Sequence, residues 1–190
     1  MTGLLFDIPP TAMPDIAGLR YVPDFITEDD ERSLIEAIDQ HPWLNDLKRR
    51  VQHYGYKYDY KARAVTNEAY LGPLPDWITP VAQNLPFKPD QAIVNEYLPR
   101  QGISAHIDCV PCFSDTITSL SLGSGAIMQF TKGQERHDLY LEPRSLIVLS
   151  GKARYRWTHA IPARKSDIVN GFKIERGRRI SLTFRKVTLK

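Results

Sequence analysis

The stretch Arg179-Ile180-Ser181-Leu182-Thr183-Phe184-Arg185 alternates charged or polar side chains with apolar ones. Successive side chains of a β-strand point to opposite faces of a sheet, so this alternation predicts a strand with one apolar and one polar face. Ile180, Leu182 and Phe184 would face a core. The polar face is either exposed to solvent or lines the inside of a barrel.

Seven further strands are predicted upstream of this one, roughly ten residues apart. They cover residues 91–98, 103–107, 116–122, 126–131, 136–141, 145–149 and 156–161, and the strand quoted above extends over 178–187. Short strands separated by turns that contain Gly and Pro are typical of a β-sandwich or a double-sheet jelly roll. The predicted fold class is therefore α+β, mainly β: a double-stranded β-helix (jelly roll) with N-terminal helices packed on one sheet.

The N-terminal half carries the helical signals. Thr27 and Asp30 have the spacing of a capping box, and apolar residues then recur at helical spacing until Pro42. A second, shorter helix is predicted over residues 76–85, where Pro80 is unfavourable for a helix interior.

Length and punctuation of the chain predict its organisation. With 190 residues the chain fits one domain, which we expect to span residues 19–190 after an extended lead-in at 1–18. A short strand is predicted at 19–22 and one long surface loop at 162–177. We expect a monomer.

Composition excludes several classes of protein. Apolar residues make up 42% of the chain and charged residues 25%, with a net charge of +3, which is ordinary for a globular protein and unlike disordered, collagen-like or disulfide-scaffold chains. The longest aliphatic run, residues 146–149, is far shorter than the roughly 20 residues that a membrane span needs. The N-terminus lacks the basic segment of a secretory signal. We therefore expect a cytoplasmic protein with no membrane partner.

The two cysteines, Cys109 and Cys112, form a single C-x-x-C motif. A structural zinc site needs a second pair, and a thioredoxin-like motif needs a helix that begins at the first cysteine. Pro111 and the loop-like residues after it do not favour such a helix. We interpret the pair as incidental thiols in a reduced compartment, with a redox-responsive pair as the alternative.

His106 and Asp108 lie on the same side of an extended segment, and His159 follows on a later strand. On a jelly roll, distant strands can face each other. Two histidines and one carboxylate form the facial triad of non-haem Fe(II) oxygenases, which leaves room for a bidentate co-substrate and O₂. A surface pair at 106 and 108 and a core or surface role for His159 are the alternatives.

The polar face of the last strand is suited to a dicarboxylate. Arg179 and Arg185 could hold its two ends through charge-assisted hydrogen bonds. Asn95 and Tyr97 also share one face of their strand, and they could supply an amide and a phenol to the same ligand.

Five motifs occur in a characteristic order: Asn95-x-Tyr97, His106-x-Asp108, Leu120-Ser121-Leu122-Gly123, Arg154-Tyr155-x-Trp157-x-His159-x-Ile161 and Arg179-x5-Arg185. Over roughly residues 91–187 the chain resembles the AlkB family of Fe(II)/2-oxoglutarate dioxygenases, which act mostly on alkylated nucleic acids. It is most similar to the branch that contains the AlkB-like domain of the tRNA wobble-uridine hydroxylase. The resemblance implies that Fe(II) is bound by His106, Asp108 and His159.

The resemblance also implies a 2-oxoglutarate site. Arg179 would pair with the distal carboxylate, helped by Tyr97, and Arg185 and Asn95 would lie near the keto-acid end. Ser181 occupies a position where the bacterial founding member of the family has Asn.

A tyrosine run and a basic segment are candidates for substrate contacts. The alternating tyrosines are Tyr54, Tyr56, Tyr58 and Tyr60, and they follow Lys48, Arg49 and Arg50. If the tyrosines share one face, they either pack across strands or form a lid over an unstacked base, with the basic residues on phosphates. A basic rim near His159 is predicted from Lys152, Arg154, Arg156, Arg164, Lys165 and Lys173.

Val110 stands where repair members of the family carry an acidic residue that senses the damaged base. An apolar wall here predicts weaker or less selective demethylation of 1-methyladenine and 3-methylcytosine. Three hypotheses follow for the function: an oxygenase of alkylated nucleobases in DNA or RNA, an oxygenase of a protein or small molecule, and a jelly-roll binding module without turnover.

Overall fold

The protein is described by a computed structural model that covers residues 12–45 and 47–189. Most of the predicted lead-in, residues 1–11, lies outside the described residues. The part that is described ends at Gly18 without forming a helix or strand, and the side chain of Ile16 is buried in the core beside Leu19.

The described residues contain twelve strands and three α-helices of 4–12 residues. The strands are β1 Leu19–Val22, β2 Val51–Tyr54, β3 Gln91–Tyr97, β4 Ile103–His106, β5 Ile117–Gly123, β6 Ala126–Lys132, β7 Glu135–Leu141, β8 Leu146–Leu149, β9 Thr158–Ile161, β10 Ser166–Val169, β11 Phe172–Glu175 and β12 Arg179–Arg185. The helices are α1 Glu28–Asp39, α2 Thr79–Ala82 and α3 Gly151–Tyr155, with a 3₁₀ turn at Asn67–Ala69. No helix among the described residues is long and apolar enough to span a membrane.

Two antiparallel sheets hold the molecule together. The larger sheet has six strands in the order β1-β8-β5-β12-β3-β2, and the smaller has four in the order β4-β9-β6-β7. Strand β12 is central in the larger sheet because it pairs with β5 on one side and β3 on the other. The alternating segment Arg179–Arg185 is therefore an inner strand of the larger sheet.

The alternation along β12 separates a core from a cavity, as predicted. Ile180, Leu182 and Phe184 are almost fully buried in a cluster that includes Leu34 and Ile38 of α1. Burying an aliphatic or aromatic side chain of this size contributes about 1.5–3 kcal/mol relative to exposure. The polar residues of β12 face the space between the two sheets instead, so the alternative of a solvated face is wrong.

Helix α1 begins as its sequence predicts. The Thr27 hydroxyl accepts a hydrogen bond from the Asp30 amide at 3.1 Å, and the Thr27 amide donates to the Asp30 carboxylate at 3.1 Å. This reciprocal pair satisfies donors that a helix N-terminus would leave free. The helix ends at Asp39, before Pro42, and covers the apolar face of the larger sheet.

Two predictions of local structure are wrong. The helix expected over 76–85 is reduced to α2, because Pro80 allows only a first turn at that point. The loop expected over 162–177 contains the hairpin β10–β11. Its two turn residues, Asn170 and Gly171, have φ of 49° and 85°, which is the left-handed conformation of a tight hairpin turn.

Candidate active site

A cavity of about 580 Å³ lies between the two sheets. One part of its lining, which we call the cavity floor, contains eight residues that the sequence predicts to be functional. They are Asn95, Tyr97, His106, Asp108, His159, Arg179, Ser181 and Arg185. Strands from both sheets supply this floor, so residues distant in sequence face one another.

The pairing of β4 with β9 brings the two histidines together. His106 at the end of β4 is the register partner of His159 on β9, and their ring centroids are 4.4 Å apart. The Asp108 carboxylate approaches from the segment after β4, with 4.0 Å between its Oδ2 and Nε2 of His159. Two imidazoles and one carboxylate therefore converge on one wall of the cavity.

Both imidazoles can offer a lone pair. Nδ1 of His106 lies 2.7 Å from the Ser104 carbonyl oxygen, and because a carbonyl only accepts, Nδ1 carries the proton and Nε2 is free to bind. Burial lowers the pKa of His159 to about 4, against the opposing effect of Asp108. His159 is therefore neutral near pH 7, the form that coordinates metals.

The Asp108 carboxyl is held in its ionised form. Burial would raise its pKa, but nearby positive charge, above all that of Arg185, holds the pKa well below its usual range. Arg185 Nη2 donates to Asp108 Oδ1 at 2.9 Å, which leaves Oδ2 on the side of His159. No three His, Cys, Asp or Glu side chains of the described chain surround a single point as a formed metal site does. The fit to Fe(II) rests on the chemistry of this donor set.

Arg179 is a buried cation with unused donors. Its side chain packs over the Tyr97 ring at 5.4 Å, and Nη2 donates to Ser121 Oγ at 2.8 Å. Nε and Nη1 meet no hydrogen-bond acceptor in the described part of the chain. Burial lowers the pKa of Arg179 to about 10, so it stays protonated near pH 7. A buried cation is costly unless it is paired, and a carboxylate ligand in the cavity would pair it.

Ser121 lies beside the floor and was not predicted as a site residue, although it belongs to the motif Leu120-Ser121-Leu122-Gly123. It is the register partner of Ser181 across β5 and β12. The signal was available, because Ser121 interrupts the apolar pattern of a buried strand with a polar side chain that needs a partner.

The entrance to the cavity, which we call the cavity rim, is basic and aromatic. Its residues are Lys48, Arg49, Tyr58, Tyr60 and Arg63. Arg49 connects the rim to the floor through a 2.9 Å hydrogen bond from its Nε to Asn95 Oδ1. Among the described residues, none of the three rim cations forms an ion pair with a carboxylate.

The tyrosine run does not share one face, so the predicted substrate contacts of Tyr54 and Tyr56 are wrong. Tyr54 packs edge-on against Trp77, with ring centroids 5.3 Å apart, and both are partly buried against the core cluster that includes Leu34 and Ile38 of α1. Tyr56 packs against Tyr70 outside the cavity lining. The alternation breaks at Gly55, which has φ of 76° and would place any Cβ against the Asp90 carbonyl.

Arg50 is engaged elsewhere, so its predicted phosphate contact is also wrong. Its guanidinium donates two hydrogen bonds to the buried Glu96 carboxylate, at 2.6 and 2.7 Å, and stacks over Trp43 at 4.7 Å. The neighbours Lys48 and Arg49 line the cavity instead.

The predicted basic rim near His159 is wrong for two of its members. Arg154 is 2% exposed and donates to the carbonyls of Asp108 and Cys109, at 2.9 and 3.2 Å. Arg164 and Arg176 pair with the buried Asp167 carboxylate. Nothing in a charge run distinguishes a buried arginine such as Arg154 from an exposed one.

Two expectations for the segment after Asp108 fail. Val110 is 51% exposed and lies outside the cavity lining, so it forms no apolar wall beside the site. Cys109 and Cys112 are joined in a disulfide, so the interpretation as incidental free thiols is wrong.

A 2-His-1-carboxylate donor set beside a buried arginine is an arrangement that suits Fe(II) and a carboxylate co-substrate. A sequence model of the 2OG-Fe(II) oxygenase superfamily matches residues 18–185. The chain belongs to this superfamily. It is an Fe(II)- and 2-oxoglutarate-dependent dioxygenase, and the hypothesis of a binding module without turnover is not supported.

The predicted resemblance to the AlkB family is confirmed by two relatives. The "Alkylated DNA repair protein ALKBH8 homolog" of Arabidopsis thaliana is 40% identical, over 91% of this chain and 59% of that protein. The "tRNA (carboxymethyluridine(34)-5-O)-methyltransferase ALKBH8" of Macaca fascicularis is 36% identical, over 95% of this chain and 32% of that protein. The chain thus spans less than two thirds of the length of each.

The fold is shared with a solved AlkB homologue. The structure of OsALKBH1 superposes with a TM-score of 0.69 at 19% identity, and the match covers 93% of this chain and 100% of that chain. The predicted jelly-roll fold is confirmed.

Proposed function

We propose that this oxygenase oxidises a carbon attached to a nucleobase of DNA or RNA while 2-oxoglutarate is converted to succinate and CO₂. The observation that carries the proposal is a single cavity that joins a floor suited to Fe(II) and 2-oxoglutarate to a rim suited to a nucleotide. The names of the two relatives refer to alkylated DNA and to a tRNA uridine, which supports a nucleic-acid substrate.

His106, Asp108 and His159 would hold the Fe(II). Bound Fe(II), with 2-oxoglutarate and O₂, supplies the oxidising power for hydroxylation of a C–H bond. The role of the three side chains is to provide two neutral nitrogens and one anionic oxygen while other coordination positions stay open. Arg185, at 2.9 Å from Asp108, keeps that carboxylate ionised and fixes its orientation.

Arg179 would bind the distal carboxylate of 2-oxoglutarate. Its two unused donors, Nε and Nη1, can make charge-assisted hydrogen bonds, while Ser121 fixes the third nitrogen. The Tyr97 ring supports the guanidinium from one side. Asn95 and Ser181 line the same space, and we assign them to the 2-oxoglutarate site together with Arg185.

The rim would bind the nucleic acid. Its three cations have no carboxylate partner among the described residues, so they are available to phosphates. Tyr58 and Tyr60 offer aromatic faces on which a base taken out of its stack can rest. Hydroxylation of an N-linked methyl would release formaldehyde and the unmodified base, and hydroxylation of a carbon-linked group would leave a stable alcohol.

The test is succinate release across a panel of alkylated DNA and RNA oligomers and modified tRNA, with mass analysis of the nucleosides. The proposal predicts succinate release that depends on one class of nucleic acid and a base that gains one oxygen or loses one methyl. Turnover with a peptide or small molecule, and none with any nucleic acid, would contradict it. His137→Ala is a suitable control variant, because His137 packs against Trp157 outside the cavity lining.

A further inference from the structure

The Cys109–Cys112 disulfide lies between the floor and the rim. Cys109 directly follows Asp108, and both cysteines are 6% exposed beneath the exposed turn residue Val110. Arg154 holds the peptide on the floor side by donating to the Asp108 and Cys109 carbonyls. The disulfide therefore adjoins the floor at Asp108 and the rim at Arg63.

On the rim side, both sulfur atoms contact one carbonyl oxygen. Sγ of Cys109 lies 3.2 Å and Sγ of Cys112 3.4 Å from the oxygen of Arg63. No backbone amide of the described chain donates to this oxygen. Arg63 has φ of 50°, a left-handed conformation that is uncommon for non-glycine residues, within a turn that is closed by hydrogen bonds between the backbones of Asp59 and Ala64.

The contacts to the carbonyl depend on the oxidation state of the sulfurs. A thiol is a weak hydrogen-bond donor, whereas a disulfide sulfur has no hydrogen to donate. A carbonyl oxygen has two lone pairs, so it can accept from two thiols at once. In the dithiol form two donors would point at the Arg63 oxygen, and in the disulfide form there are none.

We propose that Cys109 and Cys112 form a reversible dithiol–disulfide site whose reduced state fixes the Arg63 turn and thereby strengthens substrate binding at the rim. The link to substrate binding rests on the proposed function, because the Arg63 side chain lines the cavity entrance. A second rim residue is affected as well: Tyr58 packs in one cluster with the two cysteines, 5.7 Å from the Phe113 ring.

The reduction step requires a dithiol reductant. A thiolate of the reductant attacks one sulfur of the Cys109–Cys112 bond, which breaks to release the other sulfur as a thiolate, and the second thiol of the reductant resolves the mixed disulfide. Two electrons and two protons pass to the pair. The products are two cysteine thiols in the protein and one disulfide in the reductant.

The first test is amide hydrogen exchange of the full chain, reduced with dithiothreitol or oxidised with diamide. The proposal predicts slower exchange over residues 56–66 in the reduced protein and equal exchange over Glu28–Asp39 of α1. The difference should be about two- to tenfold, as expected for weak hydrogen bonds. Equal exchange over 56–66 in both states would overturn the proposal.

A pair of double variants separates hydrogen bonding from covalent closure. Cys109→Ser with Cys112→Ser keeps two donors and cannot be oxidised, and Cys109→Ala with Cys112→Ala removes both donors. We expect the serine variant to exchange like the reduced protein and the alanine variant like the oxidised one. If both variants exchange alike, the donor explanation is wrong.

Succinate release distinguishes failure of this inference from failure of the proposed function. A redox-dependent exchange difference with no succinate release on any nucleic acid leaves the redox site in place and overturns the proposed function. If succinate release depends on nucleic acid, but KM and amide exchange are the same in both redox states, the proposed function stands and the redox site is overturned. When both hold, KM for the nucleic acid should be about two- to tenfold lower in the reduced enzyme.

Discussion

The cavity floor and the cavity rim are built from different kinds of backbone. The floor residues lie on or beside paired strands, so the register of β12 with β3 and of β4 with β9 fixes which side chains meet. The rim residues lie in irregular segments on either side of β2, held by turns such as the one at Arg63. One cavity therefore combines a floor whose geometry is set by strand register with a rim whose geometry is set by turns.

Their electrostatics differ in the same way. Asp108 and Arg185 in the floor are almost buried and are paired with each other at 2.9 Å. Lys48 and Arg63 in the rim are exposed and have no carboxylate partner in the described chain. Floor substitutions should therefore affect cofactor binding and chemistry, and rim substitutions should affect substrate affinity and its dependence on salt.

The largest effect is expected in the floor, from His106→Ala. Removing one of three metal-binding side chains should lower kcat/KM by more than about 100-fold and weaken Fe(II) binding in an anaerobic titration. The melting temperature should change little, because His106 lies at the end of an exposed strand. The control His137→Ala should keep full activity. Wild-type turnover in the His106 variant would contradict the assignment.

Arg179→Met should weaken binding of 2-oxoglutarate by about 10- to 150-fold, the range expected for charge-assisted hydrogen bonds to a carboxylate. The matched control is Arg178→Met. Arg178 pairs with Asp39 and Glu96 on the other side of the sheet, so its loss should reduce stability without affecting the dissociation constant. Equal weakening in both variants would show that the effect is not local to the floor.

In the rim, Lys48→Gln and Arg63→Gln should each raise the dissociation constant for an oligonucleotide several-fold. Each should reduce the salt dependence of binding by about one unit of slope, as expected for loss of one phosphate contact. The affinity for 2-oxoglutarate should not change. Arg32→Gln on α1, away from the cavity, serves as the control. An unchanged salt slope in both rim variants would remove them from the nucleic-acid interface.

The smallest effect is expected from Val110→Asp. Because Val110 is exposed and outside the cavity lining, its substitution should change the rate on a 1-methyladenine oligomer by less than about twofold, as for most surface changes. A gain of tenfold or more would show that the side chain at position 110 affects substrate specificity.

Sequence alone predicts the floor well, because most floor residues lie on regular strands. The alternation from Arg179 to Arg185 determines which side chains face the cavity, because a strand continues straight through those residues. The capping box at Thr27 is equally local and is confirmed. Strand alternation and helix capping are local sequence patterns, and in both cases the structure agrees with the prediction.

The rim could not be predicted in this way. The alternation of the tyrosines continues in the sequence past Gly55, but strand β2 ends at Tyr54. Gly55 has a left-handed backbone conformation, so the side chains after it do not continue the alternation of the strand. The burial of Arg154 depends on hydrogen bonds to carbonyl groups of a segment far away in sequence. Neither periodicity nor composition contains that information.

The proposed function requires that the Fe(II) site of the floor oxidises a nucleobase held by the rim. The most direct measurement is the stoichiometry of succinate and oxidised or demethylated nucleoside, determined by mass spectrometry on the same reaction with the best nucleic-acid substrate. We predict equimolar amounts of the two products, with both lost in His106→Ala and both recovered at high substrate concentration in Arg63→Gln. Succinate release that is independent of nucleic acid, with no modified nucleoside formed, would contradict the proposed function.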